Sequence, residues 1–318
     1  MNRPSGPTLQ GAPASGRPRE SLPLMHHGIP VIRLAALCGL LLAFPVLAQD
    51  NVVNPADKQR RPTTPPGEQG TPVVVEGRQV SNLREEDRIG SYQQPEWTSH
   101  RRFMETRVYV RPEGQADFEY WLIPEIDDKG HTETKQQYEF EFGLPNRFQF
   151  DLYLVSHQQG NTGPMEFDET KFEVRYALAD WDEIWGNPTL YLEWAAKNDA
   201  PDGIEGKLLL GGEISEGWHW GANLVYEAET GGARERNVEL TAGVSYTAID
   251  SKLSIGAETK YALTDDKTDR GDYANEFLLG PSVQYRPMPN THLDLAALAG
   301  LNNDSPDAKF IFVFGWEF

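Results

Sequence analysis

The chain of 318 residues contains a single cysteine, Cys38, and only one long hydrophobic run, Leu34 to Ala48. With so little cysteine, the fold has no disulfide framework and must rely on hydrogen bonds and apolar burial. A mean hydropathy of -0.55 excludes a protein built from membrane-spanning helices. Basic residues are also scarce: 29 Lys and Arg stand against 48 Asp and Glu. The resulting net charge of -19 argues against a nucleic-acid partner.

The hydrophobic run has the features of a secretory signal peptide. Arg33 precedes it, and it ends in the sequence Val46-Leu47-Ala48. Its length of about 15 residues is too short to span a bilayer comfortably. We therefore predict that residues 1–48 are a signal peptide, with Met25 as an alternative start. Its removal takes away four Arg and one Glu, so the mature chain carries a net charge of -22 and no cysteine.

From residue 116 to the end, apolar and polar residues alternate in twelve runs of about 10 to 13 residues, separated by turn residues. This period is typical of β-strands, whose successive side chains lie on opposite faces. The last run places an aromatic residue at every second position and ends the chain on one: Phe310, Phe312, Phe314, Trp316 and Phe318. A strand that exposed this face to water would aggregate, so the face needs either an apolar core or lipid.

This ending resembles the terminal signature of bacterial outer-membrane β-barrels, whose last strand closes the barrel and carries a C-terminal Phe that the assembly machinery reads. Together with the signal peptide and the aromatic residues near the strand ends, it predicts an all-β fold. The expected architecture is an up-and-down antiparallel transmembrane β-barrel of 12 strands in the outer membrane of a Gram-negative bacterium, with 14 strands as the second choice. A soluble β-sandwich or lipocalin-like barrel is the alternative, because alternation does not say which face is inside.

The part of the chain between the signal peptide and the barrel differs in composition. Residues 49–100 are rich in proline and charge, so we predict a Pro-rich polar periplasmic segment or a partial plug of the lumen. Residues 101–115 are interpreted as a lead-in, although the weak alternation of Arg101 to Arg111 also fits an extra strand. Residues 116–318 form the predicted outer-membrane barrel. Its expected partners are outer-membrane lipid and, through the C-terminal strand, the barrel-assembly machinery.

The opposite phase of the strands would face the lumen, where fourteen acids stand against seven bases. An acidic lumen favours cations, and the excess of acids is expected to exceed what ion pairing can absorb. The alternative is that paired side chains fill the modest interior of a twelve-stranded barrel. The residues predicted to line the lumen are Glu119, Glu139, Glu141, Asp151, Glu173, Arg175, Glu193, Lys207, Glu213, Glu227, Glu239, Glu258, Lys260, Glu276, Arg286 and Asp294.

The sequence does not predict an enzyme, a cofactor or a metal site. His157 and His219 fall in the lumen phase but look isolated, and a hydrolase would need a nucleophile or acid pair oriented by a histidine. The loop Asp265 to Asp272 is superficially similar to a calcium loop, but Lys267 occupies a ligand place. Glycines within the strands, such as Gly211, Gly221 and Gly243, are interpreted as marking bends or close strand approaches rather than ligand contacts.

Residues 118–125, Phe-Glu-Tyr-Trp-Leu-Ile-Pro-Glu, and residues 137–148 resemble the opening hairpin of outer-membrane proteins grouped as the MetA type of phenol-degradation pathways. The resemblance implies an outer-membrane channel or transporter that passes small solutes, aromatic ones among them. The alternatives are a non-conducting structural barrel with a filled lumen and, less favoured, an outer-membrane hydrolase. A small-molecule solute is the expected ligand, and no nucleic acid is expected.

Overall fold

The computed structural model describes residues 83–318, so the predicted signal peptide and residues 49–82 lie outside the described part. Among the described residues no helix is both long and apolar enough to cross a membrane. A two-stranded ribbon (β1 and β2) and a 3-10 turn at Glu96–Ser99 precede a sheet of twelve long strands, β3 to β14. The strands are β1 (Arg88–Ile89), β2 (Gln94–Pro95), β3 (Ala116–Ile126), β4 (Thr132–Leu144), β5 (Phe148–Gln158), β6 (Glu166–Ala177), β7 (Thr189–Lys197), β8 (Gly203–Ser215), β9 (Trp218–Glu229), β10 (Arg236–Ile249), β11 (Leu253–Asp265), β12 (Ala274–Met288), β13 (Thr291–Gly300) and β14 (Ala308–Glu317).

The twelve long strands form one closed barrel. Each strand pairs antiparallel with the next, and the last strand, β14, pairs with the first, β3. In that closing pair Phe314 lies opposite Tyr120 and Trp316 lies opposite Phe118. The prediction of a twelve-stranded up-and-down antiparallel barrel is therefore confirmed. Closure leaves no sheet edge with unpaired backbone groups, as a bilayer requires.

The second choice of 14 strands is wrong, and so is the extra strand at Arg101 to Arg111. Those residues belong to no strand, and their arginine side chains bond instead to carboxylates of the barrel wall. If residues 101–111 formed a barrel strand, alternate side chains would face lipid and some of the arginines would be among them. Such an orientation would cost several kcal/mol.

The two rims of the barrel differ. The rim that carries the C-terminus, called here the C-terminal rim, has tight turns such as Asn146-Arg147, whose φ angles are 61° and 63°, and Glu216-Gly217, where Gly217 has a φ of 72°. Short turns that contain residues with positive φ match the right-handed twist of the flanking strands. The opposite rim, the loop rim, carries longer connections at residues 127–131, 159–165, 198–202, 230–235, 266–273 and 301–307.

The apolar phase of the strands points out of the barrel. Leu192 and Leu224 expose 60% and 56% of their surface, whereas the alternating acids Glu119 and Glu139 are fully buried. Aromatic pairs flank this apolar band, for example Trp218 with Tyr246 near the C-terminal rim and, toward the other rim, Phe172 with Trp194. An apolar exterior fringed with aromatics is the surface of a transmembrane barrel. A soluble barrel with the same phase inside is excluded.

The lipid-facing band predicts the effect of a misplaced charge. Leu224 lies near the middle of β9 and faces outward, so Leu224→Arg should lower the free energy of unfolding from a bilayer by roughly 2 to 4 kcal/mol. The same substitution at Thr230, in the connection after β9, adds the charge in water and should change stability little. Equal losses for the two variants in urea titrations of liposome-refolded protein would contradict the outward orientation of β9.

Candidate functional site

Residues 84–115, named here the luminal segment, contact inward-facing side chains on strands all around the barrel. Arg101 bonds to Glu119 on β3, the main chain of Arg107 bonds to Asn223 on β9, and Glu105 pairs with Lys309 on β14. A segment that touches the inner face on opposite sides of a closed barrel must lie within the lumen. Residues 49–100 were predicted to form either a periplasmic segment or a partial plug. Most of these residues lie outside the described part of the chain, so their role stays a prediction.

The strongest polar contacts join arginines to wall carboxylates near the C-terminal rim. An Nη2 atom of Arg101 lies 2.5 Å from Glu119 Oε2, and an Nη2 atom of Arg107 lies 2.6 Å from Glu139 Oε1. The members of this cluster, named the arginine–carboxylate cluster, are Arg101, Arg107, Arg111, Asp117, Glu119, Glu139, Glu141, Asp151, Glu173 and Arg175. Removing one partner of a buried ion pair typically costs about 3 to 5 kcal/mol, because the other charge is left unpaired.

Arg111 illustrates how this cluster is balanced. Its Nε lies 3.0 Å from Asp117 Oδ2, and the guanidinium also bonds to Glu141 and to the main-chain carbonyl of Ser99. Burial alone would lower the pKa of Arg111, but Asp117 and Glu141 raise it above its ordinary value. Arg111 therefore stays charged and neutralises wall carboxylates that have little water around them.

The deepest part of the luminal segment is a turn at residues 103–107, held through its backbone. The amides of Met104 and Glu105 donate to the carboxylate of Glu258 at 2.9 Å and 2.8 Å. The side chain of Asn223 accepts a hydrogen bond from the amide of Arg107 at 2.8 Å and donates one to its carbonyl at 2.6 Å. A turn outside the sheet has no neighbouring strand to pair with its backbone amides and carbonyls. Asn223 supplies both hydrogen bonds to Arg107 in place of such a strand.

A row of three glycines receives the apolar side chains of this turn. Gly211, Gly221 and Gly243 lie directly opposite one another on β8, β9 and β10. A Cβ atom on Gly243 would sit 2.5 Å from a ring carbon of Phe103, and one on Gly211 would sit 2.3 Å from a methyl of Val108. The segment packs directly on strand backbone at these three glycines, whereas an added Cβ on Gly256 or Gly280 would meet the backbone of a neighbouring strand, which is the close approach that was expected.

An aromatic cluster closes the base of the segment at the C-terminal rim. Trp181, from the connection between β6 and β7, packs edge-on against Trp97 and Tyr109, with ring centroids 5.6 Å and 5.2 Å apart. The Tyr109 hydroxyl donates to the carbonyl of Ala179 at 2.6 Å, and the Trp97 indole donates to Glu213 at 3.1 Å. Burial, with nearby Asp180, raises the pKa of Tyr109 above its ordinary value, so the hydroxyl remains a donor at neutral pH.

Toward the loop rim the interior is more accessible and its charges alternate. Lys171, Lys207 and Lys260 expose 16 to 19% of their side chains. They pair with Glu193 at 2.9 Å, Glu205 at 2.7 Å and Glu239 at 2.9 Å, respectively. A strip of inward apolar side chains stands beside these pairs, comprising Trp121, Leu278, Ala296, Leu298, Ile311 and Val313, with Met104 of the segment packed on it. This half of the lumen, the vestibule, therefore combines partly accessible charges with an apolar strip that is buried while the segment is docked.

The residues predicted to line the lumen fall into several groups. Glu119, Glu139, Glu141, Asp151, Glu173 and Arg175 meet in the arginine–carboxylate cluster, and Glu258 holds the turn at residues 104–105. Lys260 pairs with Glu239 and Glu276, Glu193 with Lys171, Arg286 with Glu317, and Asp294 with His292. Lys207 pairs with Glu205, Glu213 accepts from Trp97, and Glu227 is half-buried on β9. Their role in passing a solute stays a prediction.

The C-terminal aromatics take the outer face, where Phe312, Phe314, Trp316 and Phe318 are exposed and Phe310 is half-buried. Recognition of this strand by the assembly machinery stays a prediction.

Two features of the lumen differ from the sequence-based expectation. The excess of acids was expected to exceed what pairing can absorb, and Arg101, Arg107 and Arg111 of the luminal segment reduce this excess without removing it. A run of four arginines within eleven residues, just before an acidic barrel, was the signal in the sequence. The apolar strip was also not predicted. Its signal in the sequence was that inward-facing and outward-facing residues are both apolar in Ile311–Phe314 and Ala296–Leu298.

A closed twelve-stranded barrel with an apolar, aromatic-fringed exterior and a charged interior defines an outer-membrane β-barrel protein. Residues 196–316 match the sequence family described as "Putative MetA-pathway of phenol degradation". The resemblance to this family is confirmed, but the matching region includes most of β14 and not the opening hairpin at 118–148. No curated protein sequence matches the chain.

Several solved structures are similar to the chain at low sequence identity. An outer membrane channel from Pseudomonas putida F1 is 12% identical, with a TM-score of 0.49, over 66% of this chain and 98% of that one. The NanC porin is 13% identical, with a TM-score of 0.44, over 64% and 98%. LpxR from Salmonella typhimurium is 9% identical, with a TM-score of 0.42, over 64% and 99%.

The glycine row predicts that small additions to the wall will release the segment. Gly243→Ala should weaken its docking by about 1 to 3 kcal/mol, because the new methyl overlaps the rigid ring of Phe103. Trypsin should then cleave after Arg101 and Arg107 faster than in the wild type. Gly206→Ala is the matched control, since its nearest neighbouring atom lies 3.9 Å from the added Cβ. Equal cleavage rates in all three proteins would show that the row does not support the segment.

The pair Glu105–Lys309, at 2.8 Å, predicts a pH dependence. Burial alone would raise the pKa of Glu105, but Lys309 and the more distant Lys260 hold it below its ordinary value. A carboxyl with a lowered pKa stabilises the docked state above its ordinary pKa of about 4.3, and this contribution is lost as pH falls below that value. The melting temperature of Glu105→Gln should therefore lie below that of the wild type at pH 7, and the difference should shrink toward pH 3.

Glu125→Gln is the control for this pair, because Glu125 also contacts Lys309, at 3.3 Å, but is 40% exposed. Its effect at pH 7 should be smaller than that of Glu105→Gln, since exposed ion pairs contribute little. A melting difference for Glu105→Gln that stays constant from pH 7 to pH 3 would contradict the assigned pairing.

Proposed function

We propose that the protein is an outer-membrane channel or transporter for small solutes, whose lumen is closed by the luminal segment in the state described here. The observation that carries the proposal is the contrast between the two halves of the interior. The wall carboxylates Glu119, Glu139 and Glu141 expose at most 1% of their side chains, whereas Glu276 in the vestibule exposes 28%. An interior that admits water from one rim and is packed at the other has the form of a closed channel.

The contacts of the luminal segment support a closure that can be reversed. Its side chains are held to the wall largely by ion pairs and hydrogen bonds, as with Arg101, Arg107 and Glu105. Such contacts exchange with water at small net cost once the lumen is wet, unlike the backbone ladder of the strands. Displacement of the segment would therefore open the interior and leave the barrel intact.

The charge of the opened wall supports selectivity for cations. Without the segment, Arg175 would be the one base left in the arginine–carboxylate cluster, facing Asp117, Glu119, Glu139, Glu141, Asp151 and Glu173. A confined ring of carboxylates lowers the local potential and attracts cations. The docked segment brings three arginines against these carboxylates and reduces this potential, so the same residues serve closure in one state and selection in the other.

The vestibule supports solutes that carry both apolar and polar groups. Trp121, Leu278 and Ile311 form an apolar strip that is buried with Met104 of the docked segment and would become accessible on its release, while Lys207 and Lys260 stand among carboxylates nearby. A small aromatic compound with a polar substituent would use both surfaces. The phenol-degradation description of the matched family agrees with this class of solute.

The second candidate is a non-conducting structural barrel with a filled lumen. The dense packing of Trp97, Phe103 and Val108 within the lumen favours it, since these residues belong to one buried hydrophobic cluster. In such a barrel, the segment would stabilise the fold and would remain docked in the lumen under physiological conditions.

Planar-bilayer conductance separates the two candidates. The mature wild-type protein should give little current. Deletion of residues 84–111 should give a larger, cation-selective current, because the acidic wall is then wet. Arg101→Glu should also raise the current, by repelling the segment from Glu119 and Glu139.

Arg84→Glu provides the control for charge reversal in the same segment. Arg84 exposes 66% of its side chain and makes rim contacts with Glu216 and Asp250, so its reversal should leave the current unchanged. Each variant must first show the heat-modifiable mobility of a folded barrel. Folded variants that carry no current in either the deleted or the charge-reversed form would overturn the channel and support the structural barrel.

A further inference from the structure

A second group of acids meets the wall away from the arginine–carboxylate cluster. Glu85 and Glu86, at the start of the luminal segment, face His219 on β9. The Nε2 atom of His219 lies 3.6 Å from Glu85 Oε1 and 3.5 Å from Glu86 Oε1. Both distances exceed those of a good hydrogen bond. His219, which looked isolated in the sequence, therefore has two carboxylates in front of one ring nitrogen and is bonded to neither.

The imidazole of His219 lacks a hydrogen-bond partner within the described chain. The residue is fully buried, and both of its ring nitrogens are unpaired among residues 83–318. The ring lies beside Trp97, with centroids 4.5 Å apart, which fixes its plane and aims Nε2 at the two carboxylates. A buried polar group without a partner is costly, so it points to a ligand that completes the site.

The spacing of the three groups suits a metal ion. Zinc–ligand bonds of about 2.0 to 2.2 Å that meet at a tetrahedral angle place ligand atoms about 3.4 Å apart. The two measured separations at Nε2 are close to this value. Imidazole nitrogen together with carboxylate oxygen is a common ligand set for zinc and related divalent ions.

Neighbouring groups hold the carboxylates in place and add negative charge. The amide of Gly217 donates to Glu86 Oε1 at 3.1 Å. Arg102 contacts the other oxygen of Glu85, Oε2, at 3.1 Å and leaves Oε1 directed at the histidine. Burial and the carboxylate of Glu213 raise the pKa of Glu86.

The acidic group at Glu119, Glu139 and Glu141 has a similar spacing but a different environment. Arg101, Arg107 and Arg111 lie against those carboxylates and take the place that a cation would need. In the group around His219, Arg102 is the one arginine in contact among residues 83–318, and it contacts a single carboxylate oxygen. The two groups therefore differ in whether their negative charge is already neutralised.

From these observations we infer that His219, Glu85 and Glu86 form a binding site for a divalent transition-metal ion of the zinc type, which fastens the luminal segment to β9. Two ligands come from the segment and one from the wall. A bound ion therefore favours the docked segment over the released one, because the released segment carries two of the three ligands away. The site does not depend on whether the barrel conducts.

Calorimetric titration of the purified, detergent-solubilised mature protein with Zn²⁺ tests the site. The wild type should bind one equivalent. His219→Ala should lower the affinity at least 100-fold, and Glu86→Gln about tenfold, since each removes one ligand. His131→Ala is the control, because His131 pairs with Asp127 on the exposed surface and offers a place for adventitious binding. The Zn²⁺ affinity of His131→Ala should match that of the wild type.

Co²⁺ gives a second readout that does not depend on stability. A tetrahedral site should show visible absorption in the wild type and in His131→Ala, and this absorption should be lost in His219→Ala. If His219→Ala does not give a folded, heat-modifiable barrel, the comparison of Glu86→Gln with the wild type decides the question. The inference is overturned if the wild type binds no Zn²⁺, if Glu86→Gln and His219→Ala bind as the wild type does, or if binding is lost in His131→Ala alone.

Discussion

The structure depends on one constraint, which is that every backbone amide and carbonyl within a bilayer must find its partner inside the protein. Pairing β14 with β3 meets this requirement by removing both sheet edges. Closure then separates an outer face, where Leu192 and Leu224 meet lipid, from an inner face that collects the charges. Since side chains alternate along each strand, the polarity of the two faces follows from the same pairing.

An acidic inner face creates a second requirement, because buried carboxylates need positive charge. The luminal segment supplies it through Arg101, Arg107 and Arg111. The wall is also shaped for the segment, since Gly211, Gly221 and Gly243 leave room for its side chains, while Asn223 satisfies its backbone. Charge, shape and hydrogen bonding thus agree on one docked position of the segment in the lumen.

Strand number, strand phase and the closing role of the C-terminal aromatics could be predicted, because they rest on a period of two that is visible in the chain itself. The candidate site could be predicted only in part. Glu119, Glu139 and Glu141 were recognised as inward-facing, but their partner Arg101 was assigned to a lead-in or an extra strand. A contact between a loop and a distant strand leaves no periodic signal, and the same holds for His219 with Glu85 and Glu86.

The sequence by itself determined that the chain forms strands with one apolar and one acidic face, because alternation is local and needs no knowledge of which strand pairs with which. The signal peptide and the aromatic ending favoured lipid on the apolar face. Only the tertiary structure decided what fills that inside. Whether an acid is paired, exposed or placed before an unpartnered histidine depends on which side chains closure brings across the lumen. That proximity is a property of the closed sheet and of the segment within it.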